Sequence, residues 1–120
     1  MSFAKVLREA VERVDGAFSA MILGIDGMPV ESHTSEKILN LDSLSAESSQ
    51  LMRGINSAAE SLGLGVASEF SIISDLCGIL IHRINTEYYM AILLKPGGNL
   101  GKGRFILRAM VARIEGEFQT

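Results

Sequence analysis

Apolar residues at Phe3, Val6, Leu7, Ala10, Val11 and Val14 recur at spacings of three and four, with Lys5, Arg8, Glu9, Glu12 and Arg13 between them. That period predicts an amphipathic helix, with Ser2 as its N-cap and Gly16 as its stop. The pattern then changes. Ala17 to Ile25 is almost continuously apolar, as in a strand covered on both faces. Asp26-Gly27 predicts a two-residue hairpin, because Gly accepts positive φ and Asp tolerates the left-handed region. Met28 to Ser32 follows as a short strand, and Pro29, which has no N–H, belongs at a sheet edge.

Thr34 to Asn40 reads as loop, after which Asp42 or Ser43 caps a second helix running to about Leu62 and stopped by Gly63. Its expected core stripe is Leu44, Ser48, Leu51, Ile55, Ala59 and Leu62. The opposite face would carry Ala46, Ser49, Gln50, Arg53, Asn56, Ser57 and Glu60. Gly65 to Ile73 alternates in part, with Val66, Phe70 and Ile72 on one side and Glu69 and Ser71 on the other. Leu76 to Ile84 and Tyr88 to Leu94 are stronger strands, separated by the turn Asn85-Thr86-Glu87. Lys95 to Gly103 is a Gly-rich connection into a last helix with the stripe Leu107, Met110, Val111, Ile114 and Phe118.

The expected order is α-β-β-α-β-β-β-α, an α+β sandwich with a mainly antiparallel sheet of five strands. Continuously apolar central strands need cover on both faces. The first and last helices would share one face, leaving the second helix alone on the other. One helix cannot cover five strands, so the remainder is a candidate dimer interface.

Composition narrows the function classes. The chain has 120 residues, the size of one domain, and 48% of them are hydrophobic. A net charge of −3 gives no electrostatic hold on nucleic acid. The single Cys77 rules out an internal disulfide framework and fits a reducing compartment. Neither a secretory signal nor an apolar run near the roughly 18 residues of a membrane span is visible, so the expected location is cytoplasmic.

Catalytic patterns are weak. Pro96-Gly97-Gly98-Asn99-Leu100-Gly101-Lys102-Gly103 sits where a phosphate loop would, but Pro96 replaces its first Gly and Gly103 the Mg²⁺-ligating hydroxyl residue. A structural turn is the reading. His33 and His82 lack clustered metal ligands, Cys77 lacks an activating base, and no Gly-x-Ser-x-Gly elbow exists. The sequence therefore points to no enzyme, no metal and no cofactor. Lys102, Arg104 and Arg108 form a basic cluster read as a solvated face, and Phe105, Ala109 and Ala112 a minor stripe expected to pack on the first helix. The outer face of the second helix is unusual for its short side chains, since exposed helix faces favour long charged residues. Short side chains let another backbone approach, which marks this as a protein-binding face.

Gly24-Ile25-Asp26-Gly27-Met28-Pro29-Val30, together with the element order, resembles the roadblock family. Tyr88-Tyr89-Met90-Ala91-Ile92-Leu93-Leu94, followed by Asn99-Leu100-Gly101 and a basic amphipathic helix, is similar to the same family. The compact form looks most like prokaryotic members of the MglB type, which regulate Ras-like GTPases. The resemblance implies a homodimer in which third strands pair, here through Val66, Ser68, Phe70 and Ile72. It also implies that paired second helices form a platform for a Ras-like small GTPase, contacted through Ala46, Ser49, Gln50, Arg53, Asn56, Ser57 and Glu60. Arg53, the only Arg on that face, is the one candidate for an arginine finger. The alternative is an assembly module that tethers partners without reading nucleotide.

Overall fold

In the computed structural model, which describes residues 2–118, the two most apolar strands lie side by side in the sheet. These are β1 (Ala17–Gly24) and β5 (Tyr88–Leu94). β1 is flanked by β2 (Pro29–Thr34), and β5 by β4 (Gly78–Arg83) and then β3 (Glu69–Ile73). The order is β2-β1-β5-β4-β3, and every pairing is antiparallel. Pro29 thus begins an edge strand, as its missing donor requires.

Helices α1 (Phe3–Arg13) and α3 (Leu100–Glu115) cover one face, and α2 (Leu41–Ser61) covers the other. The first core joins Val6, Leu7, Ala10 and Val11 to Ile106, Leu107 and Met110 across Ala20, Ile22, Leu80, Met90, Ile92 and Leu94. The second joins Met52 of α2 to Phe18, Met21, Leu23, Ile81, Tyr89, Ala91 and Leu93. Successive residues of β5 alternate between these cores, which is the period of a pleated strand buried on both sides. A short 3₁₀ turn, Gly116–Phe118, ends α3 and stacks Phe118 on Phe3 and Tyr88, with centroids 5.0 and 4.5 Å apart.

Local rules account for most boundaries. Ser2 caps α1 by accepting from the Lys5 amide at 3.2 Å. Asn85 Oδ1 accepts from the amides of Glu87 and Tyr88, closing the β4–β5 turn. The β1–β2 turn differs from the two-residue hairpin expected. Gly24 N–H donates to Met28 O and Gly27 N–H to Gly24 O, so the loop has three residues, Ile25-Asp26-Gly27. Only Gly27 among them takes positive φ, at 91°, while Asp26 Oδ1 accepts from the Met28 amide at 3.0 Å. A turn followed by a left-handed glycine matches the strand twist as well as a primed turn does.

Other expectations change too, beginning with β2, which runs to Thr34 instead of ending at Ser32. β3 begins at Glu69, not Gly65, because positive φ at Gly63 and Gly65 carries the chain away from α2 before it can pair. β4 begins at Gly78, not Leu76, because Ser74 N–H and Oγ both bond Cys77 O and leave Asp75-Leu76 as the hairpin tip. The Gly-rich connection ends at Asn99, whose side chain caps α3 by accepting from Lys102 N–H at 3.0 Å. Leu100 to Gly103 therefore belong to the helix. Its Phe105 is 63% exposed and does not pack on α1, since Ile106 and Leu107 take the inward positions.

The glycines of that connection allow close packing. Lys95 N–H donates to Gly16 O and Asn99 N–H to Asp15 O, which holds the connection against the α1–β1 turn. A Cβ on Gly16 would lie 2.6 Å from Gly98 Cα, while one on Gly97 would meet open space. Both residues have positive φ, 88° and 83°. Gly97→Ala should therefore cost only the left-handed backbone penalty, about 1–2 kcal/mol. Gly16→Ala should cost clearly more, because backbone must move. Urea unfolding of the two variants checks this ordering, and equal losses would remove close approach as the reason for Gly16.

Candidate interaction surface

The face that α2 turns to the sheet is built from small residues. Asn40 caps the helix by accepting from Ser43 N–H at 3.0 Å, two residues before the first expected cap. Ser45, Ser48, Ser49, Met52 and Ala59 are then buried, with Asn56 half-buried beneath the helix. Serines tolerate this because their hydroxyls bond back to the helix. Ser45 Oγ donates to Leu41 O and Ser49 Oγ to Ala46 O, each at 2.9 Å.

This placement rotates α2 from the orientation its apolar residues suggest. Leu51 and Leu62, expected in the core, are 44% and 72% exposed, and Met52 takes the central inward position. Of the residues expected outside, Ala46, Gln50, Ser57 and Glu60 are exposed. Ser49 is only 2% exposed and is not available as an outer residue. Asn56 faces the sheet end, its amide donating to the Tyr89 hydroxyl at 2.8 Å.

Arg53 is committed within the chain. Its guanidinium donates to Ile25 O at 2.7 Å and to Ser49 Oγ at 3.4 Å, tying the β1–β2 turn to α2. A Cβ on Gly27 would stand 3.2 Å from Ser49 Oγ and 3.7 Å from Ala46 Cα. Part of the small-residue signal on α2 thus reflects this internal approach. The smallness of Ala46 and Ser49 admits the chain's own hairpin.

What remains outside is an apolar strip, made partly of residues expected in the core. Ile55, Ala58 and Leu62 of α2 continue into Leu64, Val66 and Ala67, lining an apolar groove of about 270 Å³. The groove leads to β3, the edge of the sheet opposite β2. Arg83 N–H donates to Ser68 O and Ser74 N–H to Cys77 O, and these directly opposed pairs fix the ladder phase. By alternation, the backbone groups of Glu69, Ser71 and Ile73 point to the open edge. Of the residues expected at a dimer interface, Val66 is exposed, Ser68 lies just before the strand, and Ile72 is exposed on the same face of β3 as Phe70. Phe70 packs against the α2-side core.

The basic cluster is partly paired. Arg108 donates to both carboxylate oxygens of Glu69, at 3.1 and 2.8 Å, linking α3 to the first residue of β3. The Arg108 guanidinium holds the Glu69 carboxyl below its usual pKa, against partial desolvation, and Glu69 raises Arg108 in return. His82 Nε2 stands 3.8 Å from Glu69, and its Nδ1 bonds Arg83 O at 2.8 Å. Cys77 is buried beside α2's core, and desolvation pushes its thiol up. Among the described residues no group of His, Cys, Asp and Glu is placed to hold a metal ion, and no helix is long and apolar enough to cross a membrane.

The fold and this surface define a class: an α+β sandwich domain with an open sheet edge beside an exposed apolar strip of one helix. Comparison with protein-family models gives no match, and neither does comparison with curated proteins. Solved structures do match. MglC from Myxococcus xanthus is 30% identical over 98% of this chain and 99% of its own, with a TM-score of 0.71. A Roadblock/LC7 domain from Streptomyces avermitilis shares the fold at a TM-score of 0.88, covering 100% of both chains at 18% identity. The gliding protein MglB from Thermus thermophilus does so at 0.84, covering 94% of this chain and 87% of its own at 19% identity. The chain belongs to the roadblock family.

Two outcomes test this surface. Arg53→Ala should lower stability by about 1 kcal/mol, the net worth of a partly exposed hydrogen bond, and speed amide exchange at Gly27. Unchanged exchange there would mean that Arg53 does not hold the turn. The second concerns pH. A carboxylate whose folded pKa lies below its unfolded value adds stability above the unfolded value, and loses it as pH falls through the folded one. Below about pH 5 the native chain should therefore lose more stability than Arg108→Gln does. Parallel curves for the two proteins would show that the pair contributes nothing.

Proposed function

We propose that this chain is a homodimeric regulator that binds a Ras-like small GTPase through paired α2 helices. The observation that carries the reading is the free β3 edge lying next to the exposed apolar strip that runs from Leu62 at the end of α2 to Leu64. A second copy satisfies both at once. Antiparallel pairing about a two-fold axis at Ser71 sets Glu69 of one copy opposite Ile73 of the other, using all the outward backbone groups of the strand. The same pairing covers apolar surface that a monomer leaves in water.

Such a dimer brings the α2 helices of two copies to one side of a continuous sheet. Gln50 and Ser57 then belong to a shared platform, joined by Gly54, where a Cβ would meet nothing. The engagement of Arg53 with Ile25 O argues against a finger that reaches into the partner. Stimulation of hydrolysis is better assigned to reshaping of the GTPase active site on contact, the route that asks no side chain of this chain to enter it.

Ser71→Pro removes an outward donor without breaking a bond to β4, so it should convert dimer to monomer at micromolar concentration by light scattering. An unchanged dimer mass would place the interface elsewhere. Capture from native lysate should enrich a small GTPase with a non-hydrolysable GTP analogue and not with GDP. Ser57→Glu should weaken that capture about tenfold or more while leaving the dimer intact. Equal capture in both nucleotide states would favour the tethering module instead.

A further inference from the structure

A cleft of about 490 Å³ opens at the other side of the C-terminal half of α2, between that helix, the segment after it and the end of the sheet. Its size lies within the roughly 300–1,000 Å³ of small-molecule sites. The β4–β5 register sets Arg83 opposite Tyr89, on the face of the sheet that α2 covers. Asn56 donates to the Tyr89 hydroxyl at 2.8 Å, which leaves the phenolic proton free to bond a ligand. Glu60 stands on the helix wall, and Val66 supplies an apolar rim. Gly63 and Gly65, both at positive φ with open space where a Cβ would be, keep the entrance clear of side chains.

The charges of the cleft point to a ligand class. Among the described residues, neither Arg83 nor Glu60 makes an ion pair or a side-chain hydrogen bond. One wall therefore offers a planar cation and another an anion, and Val66 adds apolar surface at the rim. A phosphate or nucleotide would meet one Arg and be repelled by Glu60. A molecule bearing both charges meets complementary partners. We propose that this cleft binds a small zwitterion of the amino-acid or short-peptide class, its carboxylate on Arg83, its ammonium on Glu60 and its apolar body against Val66.

The test is a ¹H–¹⁵N titration of the full chain with leucine, Ala-Leu and Ala-Leu-Ala, and with their N-acetylated, C-amidated forms. Saturable shifts at Asn56, Glu60, Gly63, Gly65 and Thr86 are expected from the zwitterions and not from the capped forms. Arg83→Gln and Glu60→Gln should each weaken the tightest probe roughly tenfold, the loss expected for a charged hydrogen bond. Absence of saturable shifts with every zwitterion at millimolar concentration would overturn the proposal. So would equal binding of capped and uncapped probes, or binding that both variants leave unchanged. Cleft resonances that respond to dilution of the protein alone, and to none of the probes, would overturn it in favour of contact between copies.

Discussion

The structure depends on one constraint, a central pair of strands that is apolar on both sides. β1 and β5 can pair with each other and with neighbours, but a sheet buried on both faces must find cover above and below. The chain supplies two helices for one face, where α1 and α3 fill a continuous core. It supplies only α2 for the other. That imbalance leaves the β3 side of the second face thinly covered, and Leu62, Leu64 and Ile72 are exposed there.

α2 meets two demands with one helix. Its inward side must lie close to a sheet already crowded with Met21, Leu23, Tyr89 and Leu93, so it presents serines, one methionine and an alanine. Close packing with small residues yields dispersion contact while giving up little helix stability, provided the hydroxyls are bonded to the helix itself. Its larger aliphatic residues, Leu51 and Leu62, are thereby turned outward. An exposed edge strand beside such residues is a ready template for pairing with another chain, which is the arrangement of the proposed dimer.

The same logic explains what can and cannot be read from the chain. Element order, the layer arrangement, the edge position of Pro29 and the span of β5 are legible, because each follows from a local period or a missing donor. The rotation of α2 is not. Hydrophobicity alone places Leu44, Leu51 and Leu62 in a core, and it does so by assuming that a helix has one apolar partner. Ser48 and Ala59 of that stripe are indeed buried, but Ser45 and Met52 take the inward places beside them, and the polarity of Ser45 hides it from that count. The start of β3 is misplaced for a related reason. Val66 looks like a strand residue, yet Gly63 and Gly65 redirect the backbone before pairing begins.

The short side chains of α2 look like an invitation to a partner, and their first use is internal. Gly27 approaches Ser49 and Ala46 closely enough that a Cβ would touch both residues, and Arg53 fastens the turn by its bond to Ile25 O. The hairpin that carries the family motif is therefore a brace for the helix as well as a turn between strands. Bracing fixes the N-terminal half of α2 against β1, while the C-terminal half is held by Asn56 on Tyr89. With the turn packed on Ala46 and Ser49 and the bonds of Arg53 and Asn56 one turn further on, the middle of α2 is held firmly against the sheet. The commitment of Arg53 to the brace is thus a contribution to the shape of α2, made within the chain.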